Sequence, residues 1–332
     1  MRLALEPVIE ALDHLQNGFI GALCLISLSA CAPGQDVDDL TAAGNDASWR
    51  HWQPALGQPA LEPLDAAVAR DPHPVILALH GFNDYSNAFQ DFASFAASKG
   101  IAVHAYDQRG FGANPDRGLW PGIERLTADL RNALARLRKI YGEAPIYVLG
   151  ESMGGAVAIV AAADEEPLDA AGLILVAPAV WGGSHLNPFY RATLWLASTF
   201  APGWSLGSGG LKISPSDNIE MLRAFSADPM VIKVTRTDAI AGLVQLMDKA
   251  LASAPRLDQH VLLLFGEKDE VVPVDALWDF RNRLEQANLA VVDYTDGYHM
   301  LLRDLQRQAV FEDILNWIGD VSPEDPGSAV RD

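Results

Sequence analysis

Ile146-Tyr147-Val148-Leu149-Gly150-Glu151-Ser152-Met153-Gly154-Gly155 decides how the rest of this chain is read. The apolar run Ile146 to Leu149 predicts a buried strand, and the Ala- and Val-rich stretch from Gly155 to Ala163 predicts a helix. Between them stands G-x-S-x-G, the pattern of a nucleophile elbow. Such a turn is so sharp that the serine takes strained backbone angles, and bulky residues two positions away would clash. Gly150, Gly154 and Gly155 meet that demand. A chance glycine–serine turn fits the same five residues, but a strand before it and a helix behind it favour an exposed, nucleophilic Ser152.

A nucleophilic serine needs a base, and the base needs an orienting acid. Around such an elbow the chain order is serine, acid, histidine. His185, His260 and His299 are the histidines that follow Ser152. His185 lies in a Trp- and Gly-rich stretch, and His260 directly precedes the apolar run Val261 to Phe265, which reads as a buried parallel strand. That strand runs into Gly266-Glu267-Lys268-Asp269-Glu270-Val271-Val272-Pro273, a loop at a strand's carboxyl end, where Asp269 is the expected acid. A helical stretch from Asp275 to Gln286 and a strand from Ala290 to Tyr294 follow, and then the turn Asp296-Gly297-Tyr298-His299. His299 therefore lands at the sheet edge where open α/β sheets gather their sites, and it is the histidine after Asp269. Glu267 and Asp296 remain competitors for the acid.

Stabilising an oxyanion takes two backbone N–H groups, one from the residue after the nucleophile and one from an upstream strand-to-helix loop. Met153 fills the first role. Val75-Ile76-Leu77-Ala78-Leu79-His80-Gly81-Phe82 fills the second, with Phe82 as donor and Gly81 allowing close backbone approach. His80 precedes the serine and is read as a brace for this loop rather than as a proton carrier.

His80-Gly81-Phe82, Tyr106-Asp107-Gln108-Arg109-Gly110-Phe111-Gly112, Gly150 to Gly155, the Gly266-to-Pro273 loop and Gly297-Tyr298-His299 occur in one order. Together they resemble the monoacylglycerol lipase and lysophospholipase-like branch of the α/β-hydrolases, a grouping also labelled serine aminopeptidase-like. The likeness runs from about residue 74 to 319. It implies an α/β-hydrolase fold and a serine ester hydrolase, with Ser152, Asp269 and His299 as triad and Phe82 and Met153 as oxyanion donors. It also implies that the Asp-x-x-Gly-x-Gly stretch is a structural turn, so that Asp107 and Arg109 are not catalytic. The departure lies upstream. Where the family opens on a two-stranded hairpin, Ser48 to Arg70 shows no clean alternation, and the layout of the first strands stays open.

Composition agrees with one enzyme core plus an insertion: 332 residues, 49% of them hydrophobic. The net charge of -19 disfavours nucleic acid, which demands a basic surface, and disfavours adsorption to anionic lipid by charge alone. The histidines lack the paired spacing of a metal site, and there is no phosphate-binding Gly-rich loop, so no metal and no cofactor are implied. The amino terminus reads separately. Phe19 to Ser29 is apolar but too short for a standard membrane span, and it leads into Leu28-Ser29-Ala30-Cys31. That ending looks like a bacterial lipobox, with Cys31 lipidated as the first mature residue and the enzyme anchored in the cell envelope. Against it, Arg2 is the only Lys or Arg of this region, facing Glu6, Glu10 and Asp13, a balance that also suits a cytoplasmic amphipathic helix.

The expected organisation is a signal peptide over 1–31, a tether over 32–47, a hydrolase core over 48–179 and 258–320, a cap insertion over 180–257 and a tail over 321–332. The cap carries Trp181, Trp195 and Trp204. Its helical stretch Phe189 to Ala197 presents apolar residues that either line an acyl pocket or pack on the core, with packing expected for any single residue. A second stretch, Asp238 to Ala252, places Ile240, Leu243, Val244 and Met247 at helical spacing and should pack downward. The expected reaction is acyl transfer to water from a single-chain lipid ester. An amide-cleaving aminopeptidase and a non-catalytic lipid carrier are the alternatives, while dehalogenases and epoxide hydrolases of this fold carry Asp where Ser152 stands.

Overall fold

The computed structural model describes residues 49–53, 74–182, 188–207, 213–284 and 288–321. Cys31 and the predicted signal peptide, tether and tail beyond Val321 lie outside the described residues. A seven-stranded sheet runs in the order β1(Trp49–Trp52), β3(Ala102–Tyr106), β2(Val75–Leu79), β4(Ile146–Glu151), β5(Gly172–Val176), β8(Val261–Gly266) and β9(Leu289–Tyr294). β1 pairs antiparallel with β3; every other pairing in this sheet is parallel.

Both faces of the sheet are covered, which is why its central strands read as unbroken apolar runs rather than as alternation. Leu77, Val148, Leu175 and Leu263 point to one side, into a core shared with α2(Ile123–Tyr141), α3(Met153–Ala162) and α6(Thr237–Ser253). Ile76, Leu149, Ile174 and Leu264 point to the other, beneath α1(Gln90–Ser98) and α8(Arg307–Val321). Every residue of α3 is buried, and its small side chains let α2 and α6 press against it. At β1, Trp49 and Trp52 are fully buried; among the described residues the fold opens on this short antiparallel edge strand, which the sequence did not reveal.

Between β5 and β8 the chain forms α4(Pro188–Phe200), the two-stranded β6(Ser205–Gly207) and β7(Val234–Arg236) ribbon, α5(Ile219–Ala227) and α6. α6 packs downward as expected, but its most buried apolar residues are Leu246, Ala250, Leu251 and Ala239. Met247 is buried with them, while Ile240, Leu243 and Val244 are half-buried. Small residues win that face because α3 and Trp120 come close; a Cβ on Gly242 would collide with the Trp120 indole. The expectation of packing fails for α4. Phe189, Trp195 and Phe200 are 69%, 61% and 76% exposed, and Leu196 is exposed with them. The cause is position: α4 rests on α6 and not on the sheet, so one face of the helix has a partner. The predicted helix from Asp275 is α7(Val274–Arg283), which ends before Gln286; residues 285–287 are outside the description.

Candidate active site

β4 ends at Glu151 and α3 starts at Met153, leaving Ser152 alone in the turn with φ 53° and ψ -113°. A non-glycine residue there carries strain of about 1–3 kcal/mol. The surroundings hold it. Ser152 N–H donates to the Val176 carbonyl at 3.0 Å, and its carbonyl accepts from Ala156 and Ala179. A Cβ on Gly154 would collide with the Leu79 carbonyl, and one on Gly150 would meet the backbone of Gly155. The elbow therefore exists because three glycines let two strands and a helix meet within backbone contact.

His299 stands opposite. Its Nε2 lies 3.0 Å from Ser152 Oγ and its Nδ1 lies 2.7 Å from Asp269 Oδ2. The other Asp269 oxygen accepts from the N–H groups of Val271 and Val272 at 2.7 and 2.8 Å, which fixes the carboxylate. Asp269 and His299 are both buried. The two competing acids are elsewhere: Glu267 is exposed, and Asp296 is exposed and paired with Lys268 at 2.5 Å. The loops carrying Asp269 and His299 are sewn together by backbone, Lys268 N–H to the Gly297 carbonyl at 2.9 Å, and Gly266 abuts Gly297 so closely that a Cβ would collide. Burial opposes a charged imidazole, but the Asp269 charge and hydrogen bond, helped by the Glu151 charge, outweigh it and hold His299 above its ordinary value of 6.5.

The upstream loop passes beside Ser152: a Cβ on Gly81 would sit 3.5 Å from Ser152 Cβ. Phe82 follows, its ring packed edge-on to Phe111. His80 is buried and braces this loop, with Nδ1 against the Gly81 carbonyl at 2.8 Å and Nε2 accepting the Gln108 N–H at 2.9 Å. That arrangement fixes the neutral tautomer with the proton on Nδ1, and burial lowers the affinity for a second. Asp107 closes its own turn by accepting from the Ala113 N–H and ties it to the segment after β2 by accepting from the Ser86 N–H, and Arg109 pairs with Asp129 at 3.0 Å. These contacts lie within the turn and with Ser86 and Asp129, not with Ser152, Asp269 or His299. Met153 opens α3, at the end where helix N–H groups and dipole favour negative charge.

Three residues at the site escaped the sequence reading. Arg303, four positions beyond His299, sends Nη2 to Glu151 Oε2 at 3.1 Å and Nη1 to Asp84 Oδ2 at 2.8 Å. The first is a hydrogen bond; the second is an ion pair without hydrogen-bond alignment. Glu151 and Asp84 are buried, and nothing in an isolated Arg or Asp signals a partner so distant in the chain. Among the described residues no group of three or more His, Cys, Asp or Glu is gathered as a metal would need.

Residues 70–306 match the profile of the serine aminopeptidase S33 family (Hydrolase_4). The chain is 25% identical to the monoacylglycerol lipase of Mycolicibacterium smegmatis over 256 residues, covering 75% of this chain and 89% of that one. It is 25% identical to the monoglyceride lipase of Rattus norvegicus over 299 residues, covering 86% and 91%. The crystal structure of the Paleococcus ferrophilus monoacylglycerol lipase superposes with a TM-score of 0.66 at 22% identity, covering 75% of this chain and 95% of that one. A soluble variant of the Saccharomyces cerevisiae monoglyceride lipase, bound to a substrate analog, gives 0.68 at 16%, covering 83% and 92%. An elbow on a mostly parallel sheet, within a profile match spanning most of the chain, places the protein: it belongs to the serine aminopeptidase S33 family of α/β-hydrolases and is a serine hydrolase of the lipase and esterase type.

Proposed function

We propose that this hydrolase cleaves single-chain lipid esters, monoacylglycerols or lysophospholipids, through an acyl-enzyme on Ser152. The observation that carries the reading is the unbroken relay from Asp269 through His299 to Ser152, at 2.7 and 3.0 Å. Ser152 Oγ attacks the ester carbonyl while His299 Nε2 takes its proton; the same nitrogen returns that proton to the departing alcohol. Asp269 keeps the other imidazole proton on Nδ1 and stabilises the imidazolium. The oxyanion meets the N–H groups of Met153 and Phe82. Water, activated by His299, then releases the acid and restores the serine. Ester is favoured over amide because relatives matched over most of their length are named as monoacylglycerol or monoglyceride lipases. The exposed apolar residues of α4 support an approach to lipid surfaces.

An ester panel of increasing acyl length, run with and without a fluorophosphonate, tests this. Single-chain lipid esters should be preferred and the inhibitor should abolish turnover. An inert panel would favour the passive lipid carrier, and cleavage of aminoacyl amides alone would favour the peptidase.

We further propose that Cys31 is lipidated in a bacterial envelope. No helix among the described residues is long and apolar enough to cross a membrane, and the cysteine anchor is independent of them. One acyl chain gives only marginal attachment, whereas the several chains of a bacterial lipoprotein suffice. Expressed in a lipoprotein-processing bacterium, the protein should enter the membrane fraction and resist high salt, and Cys31→Ser should release it. An unmodified amino terminus at Met1, seen by mass spectrometry, would end this reading.

A further inference from the structure

The Arg303 guanidinium touches all three segments that build the site. Glu151 directly precedes the nucleophile, Asp84 lies two positions after Phe82, and Arg303 itself belongs to the loop that carries His299. The arginine side chain is 11% exposed, and its carboxylate partners are 4% and 3% exposed. Phe225 of α5 covers the guanidinium at 5.4 Å, and Asn218, just before α5, donates to the Arg303 carbonyl at 3.0 Å. Removing one guanidinium and two carboxylates from water costs more than their attraction returns unless every polar atom is satisfied. Here Arg303 Nε and Glu151 Oε1 have no hydrogen-bond partner among the described residues. Stability is a poor reason for such a cluster; its position is a better one.

The turn from Gly81 to Asp84 is the element most in need of holding. It includes Asn83 at φ 65°, and it must stay pressed against Ser152 for the Phe82 N–H to meet an oxyanion. His80 fixes its near end through Gln108 and Gly81. Asp84 is its far end, where the Arg303 contact fastens it to Glu151. The same cluster decides the charge that faces His299. Asp269 and Glu151 present negative charge to the imidazole and Arg303 presents positive charge, while Asp84 and Asp304 in turn face Glu151.

We propose that Arg303 is a positioning residue of this hydrolase: by joining Glu151 to Asp84 it holds the oxyanion turn against the nucleophile, and it offsets the Glu151 carboxylate beside His299. This rests on the triad reading above, and the two separate cleanly. If Ser152→Ala keeps its turnover, the triad reading fails; if it loses turnover, the variants below judge Arg303 alone.

Two substitutions divide the geometric role from the electrostatic one. Arg303→Lys keeps the charge but loses the planar fork that reaches two carboxylates at once. It should lower kcat on a soluble short-chain ester by roughly tenfold or more, with KM within about twofold, as expected when an oxyanion donor drifts rather than when binding is lost. Its acid limb of kcat/KM should stay where the wild type has it. Glu151→Gln keeps the shape and the hydrogen bond to Arg303 but removes a negative charge from beside His299. Its acid limb should move to lower pH. Wild-type kcat in Arg303→Lys, or an unmoved acid limb in Glu151→Gln, overturns the proposal, whatever either does to the melting temperature. Should Arg303→Lys fail to fold, the acid limb of Glu151→Gln decides alone.

Discussion

α3 and α4 are both apolar helices, and they meet opposite fates. α3 is buried along its whole length, caught between α2, α6 and the sheet, while α4 leaves Phe189, Trp195, Leu196 and Phe200 in solvent. The difference lies in residue size and in neighbours rather than in hydrophobicity. Apart from Met153 and Ile159, α3 is built of Gly, Ala and Val, which allow close approach; α4 carries aromatic side chains on a helix with one packed face. An apolar helix thus announces that it wants a partner without saying whether the fold supplies it. In α3 the fold does, and Ser152 is held in a fixed turn at its amino end. In α4 the exposed residues are offered outward.

This contrast is broken hardest at the α3 end. Asp269→Asn keeps the fold but lets the imidazole take the wrong tautomer, so kcat should fall by roughly 10⁴. The same change at Asp296, which pairs with Lys268 at the surface, should cost less than about threefold, since an exposed ion pair contributes little. A crippled Asp296→Asn with an active Asp269→Asn would reverse the assignment of the acid.

Packing at the elbow gives the next effect. Gly154→Ala places a methyl group against the Leu79 carbonyl, where backbone on both sides cannot yield. Denaturant unfolding should show a loss of about 3 kcal/mol, with turnover reduced because Ser152 shifts. Unchanged stability would show that the turn is looser than its contacts imply.

Acid sensitivity comes third. In the proposed relay His299 must be neutral to accept the serine proton, and Asp269 with Glu151 raises its proton affinity above the ordinary value of 6.5 despite burial. Activity should therefore rise with pH through a midpoint above 6.5 in kcat/KM. In Asp269→Asn the residual activity should persist to lower pH, because the charge that raised the imidazole is gone. A wild-type midpoint below 6.5 would contradict the balance of forces described at His299.

The smallest structural effect belongs to α4. Trp195→Ser with Phe200→Ser should alter stability by no more than about 0.5 kcal/mol, as surface changes do, and leave turnover on dispersed short-chain esters intact. Turnover on lipid vesicles or emulsions should fall. A large loss of stability would mean that α4 is packed after all and that the contrast with α3 is false.

Much of this architecture was legible in the residues because burial on both faces leaves a plain signature. β2, β4 and β8 read as apolar runs, and the elbow motif with its chain order pointed to Ser152, Asp269 and His299, which the fold brings into hydrogen-bond contact. β1 was not legible. It is four residues long, at the sheet edge, and its buried His51 finds its partner in His104, 53 positions away. The Arg303 cluster was hidden for the same reason, since Glu151 and Asp84 are recognised as its partners only once three loops have met. The exposure of α4 was invisible because aromatic residues at helical spacing look alike whether they face a core or the solvent.

The central claim is that Ser152 is the nucleophile of a working relay. A fluorophosphonate that reacts only with an activated serine, followed by peptide mapping in the mass spectrometer, addresses it directly. The wild type should carry one adduct, on Ser152, while Ser152→Ala, folded and unlabelled, should lose about 10⁶ in turnover. An adduct on any other residue, or a Ser152→Ala variant that retains a tenth of wild-type turnover, would contradict the account.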